Sequence, residues 1–140
     1  MNNKYIHKGL TFVEIIIVIA VITTIIAMAS VNLIRSKTNA VEANAQATLK
    51  AISTSIESYA GAFGGLYPEG NDLSELYDPD PKYINKDYVN DCTIGAPCQG
   101  YSYGCNLSRS GYVCTATPND NYRGARTYQI ITGSKMTTVE

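Results

Sequence analysis

The chain reads as an α+β protein in which one long N-terminal helix packs on a small C-terminal antiparallel sheet. Three observations predict this. Residues Leu10 to Ala60 contain neither proline nor glycine, and carry first an unbroken apolar run and then apolar positions at helical spacing. From Tyr101 onward the period changes to two, the pattern of a half-buried strand. Between these stretches Pro68, Gly70, Pro79, Pro81, Gly95 and Pro97 punctuate a segment rich in Asn and Asp, as in a connecting loop.

The first half of the helix is the run from Ile15 to Ile34, twenty residues without a charge. Of its first eight residues, seven are β-branched (Ile15, Ile16, Ile17, Val18, Ile19, Val21 and Ile22). A helix of about 20 residues crosses the hydrocarbon core of a bilayer. Glu14 stands at the mouth of this run with Thr11 as its polar neighbour. A carboxylate placed there costs on the order of 2–3 kcal/mol, so it marks a function and calls for a partner. Positive charge flanks both ends of the run, Lys4 and Lys8 before it and Arg35 and Lys37 after it, so loop charge does not set an orientation.

The second half is amphipathic. Val41, Ala45, Thr48, Ile52, Ile56, Tyr59 and Phe63 recur at helical spacing, with Leu49 and Ala60 widening the stripe toward a core. Gly61, Gly64 and Gly65 end the helix. The loop that follows is acidic, with seven acids from Glu69 to Asp91 against Lys82 and Lys86. Asp72 to Tyr77 is expected to form a short helix with Asp72 as N-cap and Glu75 completing a capping-box-like pair. Asp78, Asp80, Asp87 and Asp91 offer oxygen ligands for calcium, but their spacing matches no calcium loop, and a solvated acidic loop is the preferred reading.

In the sheet region Tyr101, Tyr103, Cys105 and Leu107 alternate with small or polar residues, as do Tyr112, Cys114 and Ala116. Thr127 to Ile131 and Lys135 to Val139 complete a four-stranded meander that turns at Thr132-Gly133-Ser134. A first turn centred on Arg109-Ser110 places Cys105 opposite Cys114, within disulfide reach. The remaining pair is then Cys92–Cys98. The four cysteines form no C-x-x-C, so disulfides in an oxidising compartment are preferred to a zinc or redox site. The eleven tyrosines are read as amphipathic rings closing a small core.

Composition narrows the function. At 140 residues and a net charge of −1, the chain holds one soluble domain at most and shows no electrostatic footprint for nucleic acid. The only histidine, His7, precedes the apolar run. Removal of residues 1–9 would leave no histidine, which excludes Ser-His and Cys-His catalysis and His-ligated metals. No phosphate loop or metal cluster is evident, so neither an enzyme nor a bound cofactor is expected.

Lys8-Gly9-Leu10-Thr11-Phe12-Val13-Glu14 followed by an uncharged helix resembles the N-terminus of type IV prepilins and type II secretion pseudopilins. The resemblance spans residues 8–34. A loop bearing Tyr67-Pro68 and a sheet bearing Ala116-Thr117-Pro118 resemble the pilin architecture more loosely. Leu10 stands where Phe is commoner, and Thr23 and Val31 stand where many members carry Gly and Pro. The resemblance implies cleavage between Gly9 and Leu10 by a membrane prepilin peptidase, then N-methylation of Leu10. It divides the chain into a prepilin leader (1–9), a transmembrane and filament-core half-helix (10–34), an amphipathic half-helix (35–63), an acidic connecting loop (64–100) and a β-sheet region (101–140).

Glu14 then becomes the assembly residue, pairing with the new Leu10 ammonium of a neighbouring subunit and removing an unpaired charge from each. The implied protein is a pilin. It is stored as a single-pass protein in the bacterial inner membrane and built by assembly machinery into a homo-oligomeric filament at the cell surface or in the periplasm. A pseudopilin of a type II secretion or DNA-uptake system shares that processing. A different class is a secreted, disulfide-stapled binding domain, its signal peptide cut at the Ala27-Met28-Ala29 pattern.

Overall fold

The structure, a computed structural model, describes residues 10–122 and 124–139. The leader, with His7 and Gly9 of the expected cleavage site, lies outside the described residues. Helix α1 runs Phe12–Ala62, 51 residues. The described chain divides into two units within α1, one ending at Lys37 and the other beginning at Thr38.

The first unit is a helical segment with no core. Its described side chains are exposed from Leu10 through Lys37, including the apolar residues of the run. Thr23, Thr24 and Ser30 interrupt that surface with hydroxyls, yet each donates to a backbone carbonyl one turn back. The acceptors are Ala20 O at 2.9 Å, Val21 O at 2.8 Å and Ala27 O at 3.1 Å. With these donors satisfied inside the helix, the segment presents an apolar exterior that suits hydrocarbon or packed helices. By length and composition it can cross a membrane.

The second unit holds the core. Val41, Ala45, Leu49, Ile52, Ile56 and Ala60 form the buried stripe of α1. The helix stops one residue short of the expected Phe63. Gly64, at φ 67°, takes the left-handed conformation, and Gly65 N donates to Ala60 O at 2.7 Å, a Schellman-type termination. Phe63 therefore leaves the stripe and stacks on Tyr59 with ring centroids 4.3 Å apart.

Helix α2 spans Ser74–Tyr77, shorter than the expected element. The N-cap position falls on Leu73, and Asp72 Oδ1 instead accepts from Ser74 N at 3.2 Å and Ser74 Oγ at 2.7 Å. Glu75 closes no box; its Oε2 accepts from Glu69 N and the Tyr59 hydroxyl. Helix α3, Tyr88–Asp91, lies where a loop was expected. Asp87 builds it, accepting from Val89 N at 3.1 Å, Asn90 N at 3.2 Å and Asn90 Nδ2 at 2.7 Å.

Strands β1 (Tyr101–Ser108), β2 (Gly111–Pro118), β3 (Thr127–Ile131) and β4 (Lys135–Val139) form one antiparallel meander in sequential order. Cys105 and Cys114 are directly opposed partners in the β1–β2 register. The inner face carries Tyr101, Tyr103, Cys105, Leu107, Tyr112, Cys114, Ala116, Tyr128 and Ile130, all buried. Six further tyrosines pack partly buried against this core, the role their amphipathic rings suggest. The connecting segment seals the far edge of β1: Gly70 and Leu107 exchange two backbone bonds, and Cys92 O accepts from Tyr103 N. Such cover removes one edge as a template for stray pairing.

Candidate functional site

The start of α1 is a capping box. Thr11 N and Thr11 Oγ1 both donate to Glu14 Oε2, at 3.1 and 3.0 Å, and Glu14 N donates back to Thr11 Oγ1 at 3.3 Å. The Thr-x-x-Glu spacing makes this reciprocal bonding possible, satisfying donors that a helix start otherwise leaves free. Glu14 is thus held one turn from Leu10 by its own chain, at the mouth of the exposed apolar helix. Leu10 is 73% exposed. The expected site residues Leu10 and Glu14 stand together here, while Gly9 lies outside the described residues. Thr11 was missed as a functional residue, although the capping pattern was present in the sequence.

Two carboxylates farther along α1 fasten its second half to the sheet. Glu57 Oε1 accepts from the Tyr112 hydroxyl at 2.9 Å and from Gly133 N at 3.0 Å, and Oε2 accepts from the Tyr67 hydroxyl at 3.1 Å. Buried Ser53 adds hydroxyl contacts of 2.7 Å to Tyr112 and 2.6 Å to Ser134. Glu42 plays the matching part nearer Thr38, accepting from the Tyr128 hydroxyl at 2.8 Å and Arg126 N at 3.0 Å. The Tyr101 hydroxyl donates to Arg126 O at 2.7 Å.

Burial pushes the Tyr101 phenol up to about 12, with the Glu42 charge adding to the effect. Burial also raises Tyr112 and Tyr128. Each stays a protonated donor at neutral pH, Tyr112 to the Glu57 carboxylate, Tyr128 to that of Glu42, and Tyr101 to the Arg126 carbonyl. In the sequence Glu42, Ser53 and Glu57 are polar residues lying between the apolar positions of the stripe. Their partners lie dozens of residues away, so no local pattern signals them.

The cysteines pair as Cys92–Cys98 and Cys105–Cys114, with Cα separations of 5.0 and 4.1 Å. Among the possible calcium ligands, Asp87 has its carboxylate engaged as the α3 cap. Among the described residues no three His, Cys, Asp or Glu side chains gather as a metal site. A stapled, clamped domain carries a helix whose other half is apolar, exposed and headed by one fixed carboxylate. No family model, no curated protein and no solved structure matches this chain.

Proposed function

We propose that the chain is a pilin, the structural subunit of a type IV pilus or related surface filament. It is held in the bacterial inner membrane as a single-pass precursor and assembled through its N-terminal helix. One coincidence carries the reading: the Gly9-Leu10 junction, the capped Glu14 and the exposed uncharged half of α1 occur together, in that order. An exposed apolar helix is stabilised by roughly 25 cal/mol per Å² of surface withdrawn from water, whether by lipid or by the same segment of other subunits. The bilayer serves before assembly, and the packed helices serve after it.

Cleavage after Gly9 creates an ammonium at Leu10. A single turn of helix keeps that charge close to Glu14, and a neighbouring subunit displaced by the matching amount brings amine and carboxylate together. Glu14 then sets the axial register of subunits. The sheet domain forms the filament exterior. The chain acts on no substrate; its partners are other pilins, the prepilin peptidase and the assembly machinery.

Intact mass of the mature protein tests the reading. A chain beginning at methylated Leu10 supports it, and one beginning at Ser30 replaces it with a secreted domain released by an ordinary signal peptidase. Shearing cells and finding the chain in long surface fibres selects a pilus over a secretion pseudopilus.

A further inference from the structure

We infer that the Cys92–Cys98 bond is exchangeable, and that Cys98 is the sulfur at which an external thiol or disulfide opens and closes it. The position of Lys86 carries this. Its ammonium lies 3.3 Å from Cys98 Sγ and 5.7 Å from the centre of the Tyr88 ring. Seven acids stand between Glu69 and Asp91, yet among the described residues Lys86 enters no ion pair. Adjacent Asp87 is buried, with both carboxylate oxygens taken by the α3 cap. A disulfide sulfur is a weak acceptor for an ammonium. A thiolate is a strong one, and a neighbouring lysine favours it over the thiol. Lys86 is thus matched to the reduced state of Cys98.

The two sulfurs differ in access. Cys92 is buried, whereas Cys98 is only partly so. Backbone bonds hold both residues independently of the disulfide. Cys98 and Tyr101 exchange two, at 2.9 and 3.1 Å, while Cys92 N donates to Tyr88 O at 3.2 Å and Cys92 O accepts from Tyr103 N at 3.1 Å. Opening the bond leaves both cysteines placed to meet again and loosens the loop between them, which carries the exposed Ile94. Cys105 and Cys114 are both buried and give an incoming thiol no comparable approach.

Closure runs in two exchanges. The Cys98 thiolate attacks one sulfur of an external disulfide, forming a mixed disulfide and expelling the other sulfur as a thiolate. Cys92, its proton lost to water, then attacks Cys98 Sγ and expels the second external thiolate. Two electrons pass from the cysteines to the external disulfide, which leaves as two thiols. Opening is the reverse: an external thiolate attacks Cys98 Sγ and Cys92 is the leaving group. Nothing in this chemistry depends on the filament reading.

The test uses the full chain in phosphocholine micelles at neutral pH. Graded dithiothreitol, with iodoacetamide quenching and peptide mapping, should open Cys92–Cys98 well before Cys105–Cys114. Simultaneous opening, or the reverse order, overturns the inference without any variant. With 2-hydroxyethyl disulfide, an uncharged oxidant, Cys98 in Cys92→Ser should form its mixed disulfide roughly tenfold faster than Cys92 does in Cys98→Ser. Added to Cys92→Ser, Lys86→Met keeps the length of the side chain and should slow that step about threefold, because the loss of thiolate is partly offset by the greater nucleophilicity of a less stabilised one. Lys86→Arg should restore the rate, as a role for the charge requires. Equal rates for the two single cysteines, or an unchanged rate in Lys86→Met, removes Cys98 and Lys86 from the exchange.

Discussion

The Tyr112 hydroxyl donates to Glu57 Oε1 at 2.9 Å across 55 residues of sequence, tying α1 to the second strand of the sheet. The same carboxylate takes Gly133 N from the β3–β4 turn and the Tyr67 hydroxyl from the connecting segment. One side chain thus joins three parts of the domain to the helix. Because the acceptor is charged, each of these bonds is stronger than a neutral one.

Glu57→Ala is therefore expected to destabilise the domain by about 1.5–3 kcal/mol, the range for losing hydrogen bonds to a charged group. Thermal unfolding of the full chain in micelles measures it. Glu57→Gln, which keeps an acceptor for Tyr112, should lose less. Equal losses in the two variants would mean that charge, not bonding, matters at this position.

The buried phenols predict an alkaline transition. Folding raises the Tyr101 phenol to about 12, above its ordinary value of 10, because burial favours the neutral form. A raised value stabilises the fold fully below the unfolded value, and that contribution disappears as pH climbs through the folded one. Stability should hold to pH of about 10 and fall between there and about 12. The tyrosinate absorbance that disappears in Tyr101→Phe isolates this ring, and it should change together with circular dichroism in that window. Ionisation of Tyr101 well before unfolding would contradict the assignment.

The disulfides should separate in effect. Cys105 and Cys114 join opposed residues of the β1–β2 ladder and are both buried. Replacing both with serine should cost about 2–4 kcal/mol. Replacing Cys92 and Cys98 should free the loop that carries Ile94 while leaving the ladder paired. Amide exchange distinguishes them, with loss of protection across β1 and β2 in the first case and around residues 92–98 in the second.

The elements legible in sequence are those that burial imposes on a periodic backbone. Val41 through Ala60 show the helical stripe because one face must enter the core. Tyr101 to Leu107 and Tyr112 to Ala116 show period two because the sheet has one buried face. The opposition of Cys105 and Cys114 followed from turn length alone. Helix α3 was hidden because a single turn held by Asp87 has too few residues for a period. The Asp72 cap was misplaced because Asp72 bonds Ser74 from outside the helix rather than from its N-cap position. Glu42 and Glu57 were hidden for another reason, since their meaning lies in tyrosines brought near by the fold. At the N-terminus Glu14 is legible as a misplaced charge, and the Thr-x-x-Glu spacing also carries its bond to Thr11.

That bond makes a sharp test of Glu14. The capping box accepts glutamine in place of glutamate, so Glu14→Gln preserves the helix start while removing the charge. Glu14→Ala removes both, and Thr11→Ala removes the N-cap side chain, worth about 1 kcal/mol, while leaving the charge in place. If Glu14 sets subunit register through the Leu10 ammonium, both Glu14 variants should be inserted and cleaved normally yet yield few filaments. Thr11→Ala should fray the first turn and still assemble. The measurements are sheared filament yield, intact mass of the membrane-held pool, and amide exchange at residues 12–14. Full filament yield from Glu14→Gln would assign the carboxylate to capping alone and remove the charge pairing from assembly.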